Sequence, residues 1–317
     1  MKYALGIDIG GTHTKIGVVD EAGKIYGLCR IATEARGTDA QPYLDNLIAQ
    51  ARQVVDEVGA NIFGVGLSTH GHLDEARHRP VLCENTPALT GIDMHGLLSD
   101  TFGLPVVVNN DLTAHALAEY YYGSGQGVRR FMVMAIGTGL GVGVIVNGTP
   151  LRYIEGTPGD SGRLIVEPDY GEPDILGVRG TVEGLCGVRG IERMALERYG
   201  REVAAHEVIR AAREGNDPTA LAIMGKVGSY LGHALALLTP VFLPNKIALT
   251  GGTTEAGAVL LDACRARFDA LIGDYHRTLA QMAGEYYSEM EIVLGEMRGE
   301  TGVVGAVTEL FQDFRSL

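Results

Sequence analysis

The sequence predicts an α/β protein built from two related halves, and two observations support that prediction. A glycine turn occurs twice, at residues 8–15 and at residues 136–141, and each copy lies between two apolar, strand-like runs. Segments typical of strands and of amphipathic helices then alternate along the chain. With 317 residues, the chain is long enough for two domains that each bury a core of their own.

The first glycine turn belongs to a predicted β-hairpin. Residues 3–7 form an apolar run before the turn, residues 16–19 form a second run after it, and Ala22-Gly23 closes the next turn. A Walker-type loop needs a Gly-Lys-Ser/Thr sequence that opens a helix, and a Rossmann fingerprint needs a helix N-terminus that faces the pyrophosphate. The sequence contains neither motif at this turn.

The segments after the first hairpin predict a helix at residues 41–58, a buried strand at 62–68, a strand at 104–110 and a helix at 112–122. Asp111 lies at the junction of the last two. It fits the role of a helix N-cap, which accepts hydrogen bonds from backbone N–H groups. A carboxylate at the carboxyl end of a strand can also take a proton from a hydroxyl, and both roles can hold at once.

The second glycine turn also predicts a hairpin. Residues 131–136 lead into the turn, residues 142–146 lead out of it, and Asn147-Gly148 is a strong signal for the turn that follows. The longest later apolar run, residues 234–243, is too short to span a bilayer and contains Pro240, which we expect to break it.

The two glycine turns differ in a way that suggests phosphate and magnesium binding. Their alignment puts Gly10 on Gly137 and Asp8 on Ala135, so a carboxylate stands on one copy only. Mg²⁺ takes one or two carboxylates together with phosphate oxygens, which Asp8 suits. Glycine lets backbone N–H groups approach a ligand closely. Hydroxyl donors are also available on the turns, from Thr12, Thr14 and Thr138.

Composition excludes several classes of protein. The chain is 46% hydrophobic and 21% charged, with a formal net charge of −13. A nucleic-acid surface needs Lys/Arg patches, and none is present, so we expect no nucleic-acid partner. No secretion signal or membrane span is evident either, which predicts a cytoplasmic protein.

The histidines and cysteines predict no metal centre. His70, His72 and His78 fall in one irregular stretch, but no acidic residue or cysteine stands at ligand spacing, so loop histidines that face solvent or substrate are expected. No Cys-x-x-Cys pair occurs. The four cysteines are Cys29, Cys83, Cys186 and Cys264.

Five motifs together resemble the ROK (repressor, open reading frame, kinase) family of sugar kinases. The resemblance covers nearly the whole chain, and its motifs are residues 6–12, 105–111, 137–143, 249–252 and 302–306. It implies an actin-like ATPase fold of the hexokinase type, with two α/β domains around a cleft that closes on its ligands. We expect a small domain of residues 1–115 and 303–317, a large domain of residues 116–302, and a homodimer.

The resemblance also implies roles for individual residues. Asp111 would be the general base, and Mg²⁺ would bind near Asp8 through water. The ATP-binding residues would be Asp8, Gly10, Gly11, Thr12, Thr14, Lys15, Gly137, Thr138, Gly139, Gly251 and Gly252. The substrate-binding residues would be His70, Gly71, Asn85, Asn110, Asp111, Asp160, Arg163 and Glu183.

The sequence departs from the family pattern at the places where family glucokinases bind zinc. Those enzymes carry a Glu-x-Gly-His element and a cysteine-rich run, whereas this chain has residues 160–163 (Asp-Ser-Gly-Arg) and 174–183 in their place. The histidine and all three cysteines are replaced, so we expect no structural zinc and a loop held by packing or ion pairs. Arg163 has two open interpretations, a residue that shapes the substrate pocket and a solvent-facing salt bridge.

These departures leave the substrate open. Glu183 is retained, which favours a sugar-like hydroxyl, but Asp160 and Arg163 change the size and charge of the site. Glucose, an amino sugar such as N-acetylmannosamine or kanosamine, and a C7-cyclitol all suit the motifs. A sugar-responsive repressor would carry a DNA-binding segment ahead of the first hairpin, for which we expect no room. A non-catalytic sensor would more naturally lack Asp8 or Asp111.

Overall fold

The computed structural model describes residues 1–153, 156–171, 173, 177–284 and 287–312, with the side chain of Arg298 left out. The chain divides into two compact units. Unit 1 contains Met1–Gln126, Gly148–Gly159 and the chain from Gly299 onward, and unit 2 contains Gly127–Asn147 and Asp160–Arg298.

The bounds of the regular elements follow in chain order. The strands are β1 (Tyr3–Ile9), β2 (His13–Asp20), β3 (Ile25–Ala32), β4 (Ile62–Thr69), β5 (His72–Leu73), β6 (Pro80–Leu82), β7 (Val106–Asn110), β8 (Arg130–Ile136), β9 (Leu140–Val146), β10 (Thr149–Pro150), β11 (Lys246–Thr250) and β12 (Glu291–Leu294). The helices are α1 (Gln41–Val58), α2 (Met94–Phe102), α3 (Asp111–Tyr122), α4 (Val182–Cys186), α5 (Val188–Tyr199), α6 (Ala205–Glu214), α7 (Pro218–Phe242), α8 (Ala258–Met282) and α9 (Thr301–Phe311).

Unit 1 is built on a sheet with the strand order β3-β2-β1-β4-β7. The hairpin β1–β2 is antiparallel, as predicted, and β4 and β7 run parallel to β1. Helix α1 has the predicted bounds. It begins with a proline in its first turn, which suits the unsatisfied N–H groups there, and it ends at Gly59 with φ 64°.

The two faces of this sheet have different partners because side chains alternate along a strand. Leu5, Ile7 and Ile9 of β1 belong to the core cluster that includes residues of α1. The alternate residues Gly6 and Asp8 face α9. A Cβ placed at Gly6 would lie 2.4 Å from the carbonyl oxygen of Val303, so the absence of a side chain lets α9 approach the strand closely.

Unit 2 repeats part of this arrangement. Its strands follow the order β9-β8-β11-β12, with β8–β9 antiparallel and β11 and β12 parallel to β8. This order matches β2-β1-β4-β7 of unit 1, strand for strand. The two glycine turns therefore stand at equivalent positions of two equivalent hairpins, which explains the duplication visible in the sequence.

The longest helices of unit 2, α7 and α8, pack closely. A Cβ at Gly232 would lie 2.2 Å from the carbonyl oxygen of Cys264. Among the described residues, α7 is the one helix long and apolar enough to cross a membrane, and 61% of its most apolar window is buried in the protein. A buried core helix gives the same pattern. The expected break at Pro240 does not occur, because this proline lies in the last turn and the helix continues to Phe242.

Candidate active site

In unit 1, four polar side chains lie in one row across the sheet. The pairing register aligns Lys15 of β2, Asp8 of β1, Ser68 of β4 and Asn109 of β7. The Ser68 hydroxyl donates a hydrogen bond of 2.9 Å to Oδ1 of Asp8, which fixes the carboxylate. Sequence reasoning missed Ser68, whose position opposite Asp8 depends on the pairing of β1 with β4.

Helix α3 starts at the end of β7, and its first residues carry the predicted catalytic pair. Asn110 is the N-cap: its Oδ1 accepts from the Leu112 amide at 2.9 Å, while its Nδ2 donates to the Gly71 carbonyl at 2.8 Å. The sequence-based assignment of the N-cap to Asp111 was therefore wrong by one residue. Asp111 is the first helical residue, and its Oδ1 accepts from the same Leu112 amide at 2.9 Å.

The environment of Asp111 suits proton transfer near neutral pH. The pKa of the Asp111 carboxyl is raised from 3.8 to about 6; burial is the main cause, the charge of Asp8 acts in the same direction, and His115 opposes both. A general base works best when its pKa lies near the operating pH. The charge of Asp8 thus contributes to the raised pKa of Asp111, and both residues lie in unit 1.

The first glycine turn lies beside one of the predicted substrate residues. Register pairs Ile9 with Thr14, so a four-residue turn runs from Gly10 to His13, with the Gly10 amide donating to the His13 carbonyl at 3.1 Å. A Cβ at Gly11 would lie 3.1 Å from Cβ of Asn85. Thr12 is exposed at the tip of this turn.

Two residues assigned to phosphate binding have other partners. The Thr14 side chain is fully buried, and its hydroxyl lies 2.6 Å from the Tyr43 hydroxyl and 2.8 Å from that of Thr33. Side chains alternate along β2, so Thr14 points to the opposite face from its neighbour His13, toward α1. Lys15 points to the α9 face, where its ammonium group donates to the Gly299 carbonyl.

His70 is held inside unit 1 through both ring nitrogens. Nδ1 donates to the Ile9 carbonyl at 3.2 Å, and Nε2 lies 3.0 Å from the Thr86 hydroxyl. Burial lowers the pKa of His70, so the ring is neutral at pH 7 and Nε2 accepts from Thr86. His70 therefore braces the end of β1. Gly71, which follows with φ 90°, offers the carbonyl that holds Asn110.

In unit 2, the second glycine turn is braced by Glu183 of α4. The turn has three residues, 137–139, and the Gly137 amide donates to the Gly139 carbonyl at 2.9 Å. Oε2 of Glu183 accepts from the Leu140 amide at 2.9 Å. A Cβ at Gly139 would lie 2.9 Å from the same Oε2, so only glycine leaves room for this contact. Thr138 is exposed at the tip.

Arg163 joins the other two predicted substrate residues of unit 2. Its Nη1 lies 3.0 Å from Oε1 of Glu183, and its Nε lies 3.4 Å from Oδ2 of Asp160. The Arg163 side chain is only 17% exposed, so this ion pair is more buried than the solvent-facing salt bridge considered from the sequence. Glu183 thereby links the loop of residues 160–163 to the second glycine turn.

The described residues of this loop do not fit zinc. Zinc takes thiolate, imidazole and carboxylate ligands, and a guanidinium group cannot coordinate it. Arg163 occupies the position at which family glucokinases carry a zinc-binding histidine, and its positive charge offsets part of the negative charge of Asp160 and Glu183. Residues 174–176 of the substituted cysteine-rich run lie outside the described residues.

Gly251, assigned to the nucleoside side, lies against β8. It has φ 91°, and a Cβ there would lie 2.2 Å from the Ile136 carbonyl oxygen, directly before the second glycine turn. Gly252 follows with open space around its Cβ position. Gly251 and the turn are thus neighbours within unit 2.

Among the described residues, one group of side chains has the composition of a metal site. Ligand atoms of His78, Asp93 and His95 lie within 4.8 Å of one another, an arrangement the sequence did not predict because two of them come from α2 and its N-cap. The two imidazole rings are stacked 4.2 Å apart at 19°, so their in-plane lone pairs run side by side instead of converging. Arg79 lies 3.6 Å from Asp93, which further disfavours a cation.

Magnesium fits the unit 1 site by the chemistry of its donors. Asp8 offers a hard carboxylate oxygen, and Asp111 stands near enough for their charges to interact. Mg²⁺ prefers such oxygen ligands and retains several waters. Asp8 would hold the ion.

The repeated hairpin-plus-parallel-strand arrangement, with the acidic pair on one copy, defines the class of protein: it has the actin-like ATPase fold. The chain belongs to the ROK family, whose sequence profile matches residues 4–312.

Individual relatives agree with that membership. A glucokinase of Halalkalibacterium halodurans is 28% identical over 286 residues, which are 85% of this chain and 86% of that protein. An N-acetyl-D-glucosamine kinase of Photobacterium profundum is 26% identical over 79% of this chain and 84% of that protein. The crystal structure of a ROK family glucokinase from Streptomyces griseus in complex with glucose and AMPPNP is 28% identical, with a TM-score of 0.79 over 96% of this chain and 97% of that one.

Proposed function

We propose that the protein is an ATP-dependent kinase that phosphorylates a hydroxyl of a hexose or hexose-like sugar. The observation that supports this most is Asp111, a carboxylate at the start of α3 whose pKa is raised to about 6 by burial. The names of the relatives, a glucokinase and an N-acetylglucosamine kinase, support the same class of substrate.

In the proposed reaction, Asp111 accepts the proton of the sugar hydroxyl as its oxygen attacks the γ-phosphorus of ATP, and ADP leaves with the electrons of the broken P–O bond. Asn110, held by the Gly71 carbonyl, orients the sugar beside the base. The backbone amides of the first glycine turn bind phosphate oxygens. Asp8 would hold magnesium, which would neutralise developing charge on the phosphates.

The finer substrate assignment depends on the ion-pair group of unit 2. We propose glucose as the first candidate because Glu183 is retained, and an amino sugar or a C7-cyclitol as the alternative because Asp160 and Arg163 alter the charge beside it. Glu183 already binds Arg163 and the Leu140 amide, so its remaining hydrogen-bonding capacity toward a sugar is reduced. We also propose that the protein is a homodimer and is located in the cytoplasm.

The test is a coupled assay of ADP release with Mg·ATP and a panel of sugars. The panel contains glucose, mannose, fructose, allose, N-acetylmannosamine, N-acetylglucosamine, kanosamine and C7-cyclitols. Strong turnover of glucose would mean that Arg163 mainly braces the loop, whereas activity confined to an amino sugar or a cyclitol would mean that it redefines the substrate. No turnover with any member would contradict the proposed kinase.

The control variant is Asp111→Asn, which keeps the size of the side chain and its bond to the Leu112 amide. Loss of the base lowers kcat by about a hundredfold to ten-thousandfold while sugar binding is retained. A non-catalytic sensor would bind sugar equally well before and after the substitution and would show no sugar-dependent ADP release in either form.

A further inference from the structure

Around Glu309 of α9, unit 1 contains a partly buried group of charged and amide side chains that the proposed reaction does not use. We call it the arginine cluster; its members are Arg77, Arg152, Glu309 and Asn109. Oε2 of Glu309 lies 3.0 Å from Nη1 of Arg77 and 2.8 Å from Nη2 of Arg152. Oε1 of Glu309 accepts from Nη2 of Arg77 at 3.2 Å, so that pair is bidentate.

Asn109 connects this cluster to the strand that ends at the catalytic pair. Its Oδ1 accepts from Nη1 of Arg77 at 3.1 Å and from Nη2 of Arg152 at 2.7 Å. Asn109 is fully buried, and its Nδ2 has no hydrogen-bond partner among the described residues. The two guanidinium groups therefore determine which way the Asn109 amide points.

The cluster is strongly coupled because its charges are withdrawn from water. The Arg152 and Glu309 side chains are 19% and 15% exposed. Burial lowers the pKa of Arg152 to about 10, although Glu309 opposes this. Burial alone would raise the pKa of Glu309, but Arg152 and Arg77 outweigh it and the pKa is lowered. Removing one member would leave a partly buried charge without its partner, which is costly.

Arg152 comes from a segment that is separate in sequence from the rest of unit 1. The same segment, residues 148–159, is tied to α3 at two other points. The Thr113 hydroxyl donates to the Gly156 carbonyl at 2.9 Å, and the Tyr121 hydroxyl donates to the Gly148 carbonyl at 2.9 Å. Contacts at both ends of α3 and at Asn109 hold the helix start in one place.

We propose that Arg152 and Glu309 are positioning residues for Asp111 that act through Asn109, two positions before it; this rests on the kinase function proposed above. The cluster fixes the end of β7, and the end of β7 fixes the direction in which α3 begins. Displacing a catalytic group by about 1 Å can cost about a hundredfold in rate, so a loosened cluster would be seen in catalysis.

Four single variants of the full chain test this proposal. Arg152→Lys keeps the positive charge but loses the planar guanidinium group. Asn109→Leu removes the side-chain oxygen that accepts the two arginine hydrogen bonds. Asn109→Asp is the conservative rescue, since it keeps the oxygen that accepts from both guanidinium groups and its negative charge balances the second of them. Arg79→Gln is the matched control, because Arg79 is an exposed arginine that pairs with Asp74 and Asp93 outside the cluster.

The kinetic readout is the separate measurement of kcat and sugar KM for the substrate that the panel identifies. Arg152→Lys and Asn109→Leu lower kcat by about tenfold to a hundredfold, with sugar KM changed by less than about twofold, because the base is displaced while the sugar contacts persist. Asn109→Asp and Arg79→Gln stay close to the wild type. A wild-type kcat in stable Arg152→Lys and Asn109→Leu proteins would overturn the proposal.

Amide hydrogen exchange supplies a readout that does not depend on activity. The Leu112 amide, bonded to Asn110 and Asp111, exchanges about tenfold faster in Arg152→Lys and Asn109→Leu, and the Leu44 amide of α1 exchanges unchanged. Equal acceleration at both amides would mean general loosening and would overturn the proposal, as would no acceleration at Leu112. If the wild type phosphorylates no sugar, the kinase function fails, and the exchange data still decide whether the cluster positions α3.

Discussion

Gly302 lies directly against Asp8: a Cβ added to Gly302 would stand 2.2 Å from both Cγ and Oδ2 of the Asp8 carboxylate. The first turn of α9 therefore covers the side chain proposed to hold magnesium. The motif at residues 302–306 was recognised in the sequence only as the return of the chain to the first domain. Its first glycine has a specific steric role at the site.

Gly302→Ala therefore displaces the Asp8 carboxylate and breaks its bond to Ser68. We expect kcat to fall by about tenfold or more and the Mg²⁺ concentration needed for half-maximal rate to rise. The measurement is a magnesium titration of ADP release. Gly299→Ala is the matched control, because a Cβ there meets nothing within 4 Å. Similar kinetics for the two variants would contradict the predicted contact.

The raised pKa of Asp111 predicts the pH dependence of catalysis. Below about pH 6 the carboxyl is protonated and cannot accept the sugar proton, so kcat/KM falls on the acid side with an apparent pKa near 6. A pH–rate profile from pH 4.5 to pH 8 measures this. If kcat/KM instead fell with an apparent pKa near 3.8, the ordinary value for aspartate, the Asp111 carboxyl would be solvated as in water.

The same shift predicts a pH-dependent cost to stability. Because the pKa in the folded state lies above the ordinary value, the folded protein favours the protonated form, and stability is lost as pH rises from about 4 through about 6. Asp111→Asn should therefore be more stable than the wild type at pH 7, by at most about 3 kcal/mol, and nearly equal to it at pH 4. Urea unfolding at the two pH values provides the comparison.

Because the Thr14 hydroxyl is buried, we predict that it has a structural role and does not bind phosphate. Thr14→Val removes the contacts with Thr33 and Tyr43, and we expect a loss of about 1–2 kcal/mol in the free energy of unfolding with little change in the KM for ATP. Thr12→Val, at the exposed tip of the same turn, should raise the KM for ATP and leave stability nearly unchanged. If Thr14→Val instead raised the KM for ATP without loss of stability, Thr14 would be a phosphate-binding residue.

Arg163 pairs with Asp160 and Glu183, so we predict that its loop needs no zinc. Arg163→Gln leaves Glu183 without its cation, so we expect unit 2 to lose about 1–3 kcal/mol of stability, less than for a fully buried pair because Asp160 is partly exposed. Metal analysis should find less than one zinc per chain, and a chelator should leave Tm unchanged. Stoichiometric zinc that survives purification would refute the prediction.

The sequence predicted the elements whose signals are local. The bounds of α1 match the predicted segment, and β4 extends only one residue beyond its predicted end, because a clear apolar pattern marks each. Both hairpins were predicted from glycine turns between apolar runs. The ROK motifs then gave the fold, since five of them occur in order along nearly the whole chain.

The remaining parts of the site depend on contacts between distant segments. Glu309 and Arg152 lie 157 positions apart, and no spacing rule pairs them. Thr14 points toward α1 because its side chain lies on the face of the sheet that packs against that helix. The turn motif does not specify which face this is. Asn110 replaced Asp111 as N-cap because the helix begins one residue earlier than the apolar pattern suggested.

The late position of α9 has a consequence for how the protein is made. Asp8 and Gly302 stand 294 positions apart, so at about 5–20 residues per second a ribosome needs roughly fifteen to sixty seconds to supply the helix that covers this carboxylate. Once Asp111 has been synthesised, the nascent chain has its first glycine turn and both acidic residues but still lacks Gly302 and Glu309. A chain that stops short of α9 therefore lacks the helix turn that covers Asp8 and the carboxylate that pairs with Arg77 and Arg152.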